Sequence, residues 1–261
     1  NMENSLKTQY LNAGNISARI NLHAKYSVNK QGWFSWIYEQ CGLESGIKVL
    51  ETGCGDGRLW VDNIKNVEKL KNIKITVTDI SEGMVNDARR NIGNGMFDYG
   101  VADCMNLPFD DNSFDCVIAN HVIFYCEEPG KAFKEIKRVL KPGGKAVFST
   151  YGSHHMQEIA QLVNQFDKRI VLSADVLYEK FGLDNGERLL KKYFNKVDKC
   201  LYDDYLLVDV AEPIIEYILS CHGNQNHYLL DRYSDFKAFI MKKTRKPLKI
   251  TKEAGGFVCF N

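Results

Sequence analysis

Several features are missing from this sequence, and each absence removes a class of protein. No apolar window approaches the ~20 residues that a membrane-spanning helix requires, so an integral helical membrane protein is excluded. No basic segment followed by an apolar stretch opens the chain, so a cytoplasmic location is expected; Asn1 ahead of Met2 reads as the remnant of an expression tag and is set aside. The 8 cysteines, at positions 41, 54, 104, 116, 126, 200, 221 and 259, include no C-x-x-C or C-x₂₋₄-C pair, so zinc is not indicated and no metal site is expected. Several lie in strand-like runs, where cysteine behaves as a small apolar residue, and buried free thiols are the expectation. Net charge is only +1, which offers nucleic acid no general attraction.

What is present is an ordinary soluble composition, 44% hydrophobic and 26% charged over 261 residues, enough to bury a substantial core. Within it, Val49-Leu50-Glu51-Thr52-Gly53-Cys54-Gly55-Asp56-Gly57 is an apolar run that ends in an acid and three alternating glycines, with a helix expected from Arg58. That pattern predicts a strand, a tight turn and a helix start, where backbone N–H groups lie open to a ligand. A dinucleotide-binding loop, G-x-G-x-x-G, would place its third glycine one residue later than Gly57 and seat a pyrophosphate there. Glu51 beside the loop would repel a diphosphate and attract a cationic or amino-bearing ligand. The spacing therefore favours a nucleoside that carries an amino acid over NAD, with an ordinary strand-to-helix turn as the plain alternative.

The next apolar run, Ile73 to Asp79, stops at an acid roughly twenty residues beyond the loop, where parallel-sheet nucleotide folds hold a ribose. Asp79 can accept from both ribose hydroxyls, or cap the helix expected near Ser81. Further on come Tyr99 to Met105, Asn106-Leu107-Pro108-Phe109, Asp111-Asn112-Ser113-Phe114-Asp115 and the buried strand Cys116 to Asn120.

In this succession the chain resembles the class I S-adenosylmethionine-dependent methyltransferases, in particular the group similar to the ubiquinone and menaquinone biosynthesis enzymes. The resemblance covers about residues 45–152. It implies that Glu51, Gly53, Gly55 and Gly57 contact the methionine part of the cofactor and that Asp79 holds its ribose. It implies further that Ile80 and Met84 flank the adenine, with Ala102-Asp103 and the backbone N–H of Cys104 meeting its polar edge. The backbone carbonyl of Asn120 would receive the ammonium of the methionine tail. The same family's helix-to-strand signature is matched by Val139 to Gly144, in which Pro142 and the glycines end an amphipathic helix carrying Phe133, Ile136 and Leu140 and launch a strand from Lys145 to Thr150.

The resulting expectation is an α/β fold: a doubly wound, seven-stranded, mostly parallel Rossmann-like sheet with an inserted helical lid. Residues 1–44 would form an N-terminal helical cover and 45–152 the cofactor-binding core. Residues 153–261 would supply strands six and seven with the lid, from Ser153 to about Gly182 and from about Leu206 to Lys246. The reaction implied is transfer of a methyl group from S-adenosylmethionine to a small molecule, leaving S-adenosylhomocysteine. A binding module for the same cofactor without catalysis is the alternative.

Three side observations bear on the acceptor. Enzymes that methylate base amines share an [Asn/Asp]-Pro-Pro-aromatic strand tip, but here the tip reads Asn120-His121-Val122-Ile123, and no Pro-Cys dipeptide occurs, so a nucleic-acid substrate is not expected. The paired N-terminal cysteines of arsenic methyltransferases are absent as well. The segment 237–252 holds seven basic residues and no acid; it reads as the solvated face of a helix whose Leu229, Tyr233, Phe236 and Ile240 pack inward, or else as an electrostatic guide for an anionic substrate. His121, directly after a strand tip, is the candidate general base; Tyr26 is a second catalytic candidate and, with Trp33, a candidate for the cover, and Tyr125, Tyr151, His154 and His155 are outlying ones. The expected assembly is a monomer or a homodimer.

Overall fold

The computed structural model describes residues 16–173 and 176–261. The first fifteen residues of the predicted N-terminal cover and residues 174–175 of the predicted lid lie outside these described residues. Seven strands form one sheet: β1 (Lys48–Thr52), β2 (Lys74–Asp79), β3 (Phe97–Val101), β4 (Phe114–Asn120), β5 (Leu140–Tyr151), β6 (Lys196–Val208) and β7 (Leu248–Phe260). Their order is β3-β2-β1-β4-β5-β7-β6. The pairs β1–β2, β1–β4, β2–β3 and β4–β5 are parallel and β5–β7 is antiparallel, the mostly parallel sheet that the sequence predicts.

The central strands are apolar on both faces, as a sheet covered on both sides requires. Every residue of β1 after Lys48 is buried. Alternation then sorts the side chains, because successive residues of a strand point to opposite faces. Leu50, Val117, Ala119, Ala146 and Phe148 join one cluster with Phe133, Ile136, Phe181 and Phe257. Val49, Cys116, Ile118 and Val147 join another with Trp36, Ile37, Leu59, Trp60 and Tyr202.

Helix boundaries follow local chemistry. Ser81 caps the helix Glu82–Ile92, its hydroxyl accepting from the Met84 N–H at 3.3 Å. Pro129 occupies the first turn of the helix Pro129–Val139, which buries Ala132, Phe133, Ile136 and Val139 along one stripe. One boundary departs from the prediction: Leu140 belongs to β5 rather than to the helix. It is extended and pairs with Phe114, and the ladder then skips to Cys116–Lys145, so that Lys141–Gly144 forms an irregularity within the strand rather than a connection before it.

The chain divides into two compact units. One comprises 31–153, 177–202 and 254–261 and contains the parallel strands. The other comprises, of the described residues, 16–30, 154–173, 176 and 203–253. The predicted cover thus falls partly in each, and residues 177–182 of the predicted lid belong with the parallel strands, where Phe181 is fully buried.

The second unit has its own apolar core: Ile159, Leu162 and Val163 of the helix Gln157–Phe166, Ile214, Ile215 and Ile218 of Ala211–Leu219, Phe236 and Ile240 of Tyr233–Lys243, with Leu206, Val208 and Ile250. Leu229, Phe236 and Ile240 pack inward as predicted, although Leu229 sits on a separate short helix, Gln225–Leu229. Lys252 is a correction to the solvated basic face. Its side chain is 8% exposed and its ammonium lies 3.1 Å from the fully buried carboxylate of Asp204. That carboxylate also accepts from the Ser27 hydroxyl at 2.5 Å and the Asn29 N–H at 2.9 Å. A buried acid needs such partners, and the strand position of Lys252 supplies one. No helix among the described residues is long and apolar enough to cross a membrane.

Candidate active site

Strand order reverses around β1, with β2 on one side and β4 on the other, and the C-terminal ends of these strands are where such sheets hold ligands. The loop that leaves β1 runs through three glycines with positive φ, at 67° for Gly53, 55° for Gly55 and 87° for Gly57, before the helix Arg58–Val67. The reasons for glycine differ along it. A Cβ on Gly53 would stand 2.2 Å from a methyl of Val122, whereas one on Gly55 would meet no atom within 4 Å. Gly55 therefore leaves open space beside a left-handed backbone that other residues rarely adopt.

Acids surround this loop. Asp79, at the end of β2, accepts from the Gly55 N–H at 2.9 Å with one oxygen and from the Ser81 N–H at 2.9 Å with the other. A carboxylate carries about four acceptor positions, so two main-chain bonds leave capacity for a ligand's hydroxyls. Next to it Ile80 is 68% exposed, an apolar side chain presented to solvent at a strand end. Met84 is half-buried in the first turn of the following helix.

Glu51 lies under the loop, 2% exposed, and accepts from the Trp60 indole N–H at 2.8 Å. Burial pushes its carboxyl up to about 8, opposed by the Trp60 hydrogen bond and reinforced by the charge of Asp79. A cation arriving beside it would supply the missing counter-charge.

Beyond β3, buried Ala102 donates its N–H to the Asp79 carbonyl at 3.0 Å, which ties that loop to the end of β2. Asp103 accepts from the Met105 N–H at 2.9 Å in a local turn. The buried Cys104 thiol lies 3.1 Å from that of Cys126. All eight cysteines are free thiols, and no group of three or more His, Cys, Asp or Glu among the described residues is placed to hold a metal.

At the tip of β4 the Asn120 side-chain oxygen accepts from the Trp33 indole N–H at 3.1 Å and from the Ser149 hydroxyl at 2.5 Å. His121 follows in a left-handed conformation, φ 54°, its N–H donating to the Ser149 oxygen at 2.9 Å. Its ring is stacked between Trp33, at 4.8 Å and 14°, and Tyr151, at 4.3 Å and 12°. Tyr125 stands nearby in sequence, 68% exposed at the end of the turn Ile123–Tyr125.

Glu51, Gly53, Gly55, Gly57, Asp79, Ile80, Ala102, Asp103, Cys104, Asn120 and His121 thus fall on the C-terminal ends of β1 to β4 or the loops directly after them, and Met84 lies in the first turn of the helix that follows β2. Tyr26 belongs to the other unit. It closes the helix Ile16–Tyr26 in the other unit and packs on that unit's core, and His154 and His155 belong to the same unit, the former 3.0 Å from Glu253. Two participants were not foreseen. Ser149 is a polar residue inside an apolar strand, and Trp60 sits nine positions past Glu51, where it faces back along the helix Arg58–Val67.

This geometry has relatives. Residues 50–148 match the family model described as methyltransferase domain. Over these residues the chain is similar to methyltransferase domains. It is 30% identical over 143 residues to a ubiquinone/menaquinone biosynthesis C-methyltransferase of Haemophilus ducreyi, a match covering 53% of this chain and 54% of that one. It is 34% identical over 112 residues to a sterol 4-C-methyltransferase of Caenorhabditis elegans, covering 42% and 33%. The chain thus spans about a third to a half of the length of these two relatives.

Solved structures share the fold at low identity. A Bacillus subtilis protein, YcgJ, superposes with a TM-score of 0.57 at 15% identity, covering 87% of this chain and 97% of that one. The phosphoethanolamine N-methyltransferase 2 of Haemonchus contortus, in complex with phosphomonomethylethanolamine and S-adenosylhomocysteine, gives 0.55 at 17% identity, covering 98% and 57%.

Proposed function

We propose that the protein transfers a methyl group from S-adenosylmethionine to a small-molecule acceptor in the cytoplasm. The observation that carries the reading is Asp79: a carboxylate at the end of β2, oriented by two main-chain N–H groups and next to an exposed apolar Ile80, beside a glycine loop with open space at Gly55. Those residues suit a nucleoside. The ribose hydroxyls would donate to Asp79, with Ile80 and Met84 against the adenine and Asp103 and the Cys104 N–H at its polar edge. The amino-acid tail would lie along Gly53 to Gly57, with its ammonium towards Glu51 and the Asn120 carbonyl.

When bound, the cofactor supplies an electrophilic methyl on a sulfonium. The chain's own part is to align an acceptor with that methyl and to take a proton from it where the acceptor is a hydroxyl, an ammonium or a carbon acid. His121 is the side chain at the strand tip suited to the second task. The tip sequence Asn-His-Val-Ile and the near-zero net charge support a small molecule over a nucleic acid, and eight free thiols accord with a reducing compartment.

Calorimetric titration with S-adenosylhomocysteine and with NAD tests the cofactor. Binding of the first and not the second is expected, and Asp79→Ala should weaken it by at least about tenfold, since a hydrogen bond to a charged group contributes about 1.5–3 kcal/mol. Parent-like affinity in that variant would remove the assignment. Release of S-adenosylhomocysteine with a panel of metabolites then separates an enzyme from a binding module.

A further inference from the structure

The connection from β3 to β4, residues 102–113, contains no helix, so its main-chain groups need partners elsewhere. Two side chains of the helix Pro129–Val139 supply several of them. Glu135 and Arg138 stand three positions apart on one side of that helix, away from its buried stripe. Glu135 accepts from the Leu107 N–H at 2.8 Å. Arg138 donates to the Leu107 carbonyl at 2.9 Å, to the Phe109 carbonyl at 2.7 Å and to the Asp111 carboxylate at 2.9 Å, and it meets both Glu135 oxygens at 2.9 Å. A guanidinium carries five N–H donors in a rigid fork, and each of them is used here. The same guanidinium holds the Glu135 carboxyl below its ordinary value, which keeps it an acceptor.

The side chains of Arg138 and Glu135 are 31% and 21% exposed, and an ion pair so placed contributes little stability by its charges alone. What the pair adds is direction. On the other side of the loop the Ala102 N–H is tied to the Asp79 carbonyl at 3.0 Å. Between the two lies a closed turn, in which the Asn106 N–H donates to the Asp103 carbonyl and the Met105 N–H to the Asp103 carboxylate, both at 2.9 Å. Leu107, where the Arg138 clamp begins, is the next residue. The turn that bears Asp103 and Cys104 is thus suspended between two fixed points, and Arg138 makes most of the second.

We propose that Arg138, oriented by Glu135, is a positioning residue that holds the turn Asp103–Asn106 against the polar edge of adenine and thereby sets selectivity for adenine over other purines. This rests on the cofactor reading given above. Adenine offers its amino group to the Asp103 carboxylate and a ring nitrogen to the Cys104 N–H. A 6-oxopurine would set a carbonyl oxygen against the carboxylate and a ring N–H against the N–H, so both contacts turn repulsive. That reversal discriminates only if the turn is held, because a turn free to swing escapes it.

Calorimetric titration of the full chain with S-adenosylhomocysteine and with S-inosylhomocysteine, which differ only at that edge, measures the selectivity. The parent should favour the adenine compound by at least about tenfold, as expected for a hydrogen bond to a charged group. Arg138→Lys keeps the charge but loses the fork that spans the two carbonyls, and the ratio should fall to within about threefold. Glu135→Gln, which keeps the shape of the partner and removes its charge, should lower the ratio by about threefold, and it serves if Arg138→Lys does not fold. A role in stability alone would lower the unfolding temperature and leave the ratio at the parent value in both variants, which would overturn the proposal.

Two outcomes keep this inference apart from the proposed function. A parent that binds both compounds equally would overturn the adenine contacts and the role of Arg138, with cofactor binding intact. A parent that binds neither would remove the proposed function, and the clamp would then be judged by hydrogen exchange. Amides of Asn106 and Leu107 exchanging at least about tenfold faster in Arg138→Lys would uphold it, and parent-like rates would overturn it.

Discussion

The two ends of the strand-tip site are built from different materials. At the β1–β2–β3 end stand three acids, Glu51, Asp79 and Asp103, and the last two are held by main-chain N–H groups of adjoining loops. At the β4–β5 end the groups that hold one another, Trp33, Asn120, His121 and Ser149, bond largely side chain to side chain. The first end is electrostatic and the second is a matter of donor and acceptor assignment. Charge and backbone conformation should therefore govern the first, whereas at the second the loss of one side chain leaves its neighbours without partners.

The largest expected effect separates the ends by pH. Burial raises the Glu51 carboxyl from 4.5 to about 8, so between those values the folded state holds a proton that the unfolded chain has released. Stability must then fall as pH rises through that window and level off above it, by at most about 1.4 kcal/mol per pH unit. Denaturant unfolding across the window should show this slope in the parent and lose most of it in Glu51→Gln. Parallel curves would mean that the buried acid costs nothing. A bound cation would remove the proton, so affinity for S-adenosylmethionine should rise over the same range in the parent only.

Next in size is Gly53→Ala. Its methyl would stand 2.2 Å from Val122 on a backbone with φ 67°, combining overpacking with left-handed strain for a loss of about 3 kcal/mol. Asn120→Leu should follow at about 2 kcal/mol, because the Trp33 N–H and the Ser149 hydroxyl lose the oxygen they share. Thermal and denaturant unfolding measure both. An Asn120→Leu variant as stable as the parent would show that the β4–β5 network carries no net stability, and the comparison would collapse to packing alone.

The same contrast explains what could be read before the structure. The β1–β2 end is written locally: an apolar run, an acid, spaced glycines, then a second run that stops at an acid, each with its role fixed by neighbours within a few positions. Asp79 and Gly55 could be named because strand ends and left-handed turns have local signatures. The β4–β5 end is assembled from positions 33, 120, 121, 149 and 151, which only the parallel pairing of β4 with β5 and the packing of the helix Trp33–Cys41 bring together. His121 and Trp33 were visible as residues of the right type, but their stacking was not. Ser149 gave one cue, a polar residue in an apolar strand, and Leu140 misled because its helical spacing was outweighed by pairing with Phe114. Lys252 looked solvated in a basic run because nothing near it in sequence announces Asp204.

The smallest effect sharpens the comparison most. Gly55 shares the loop and the positive φ of Gly53 but has no atom within 4 Å of its Cβ position, so Gly55→Ala should cost only the left-handed strain, about 1–2 kcal/mol in unfolding experiments. If the open space there receives the cofactor, the methyl should weaken S-adenosylhomocysteine binding by about tenfold, equivalent to about 1.4 kcal/mol in calorimetry. A variant that keeps full affinity would mean that the ligand does not approach the loop at Gly55. The three glycines would then answer only to the turn and to Val122 and Ile92, whose side chains crowd Gly53 and Gly57.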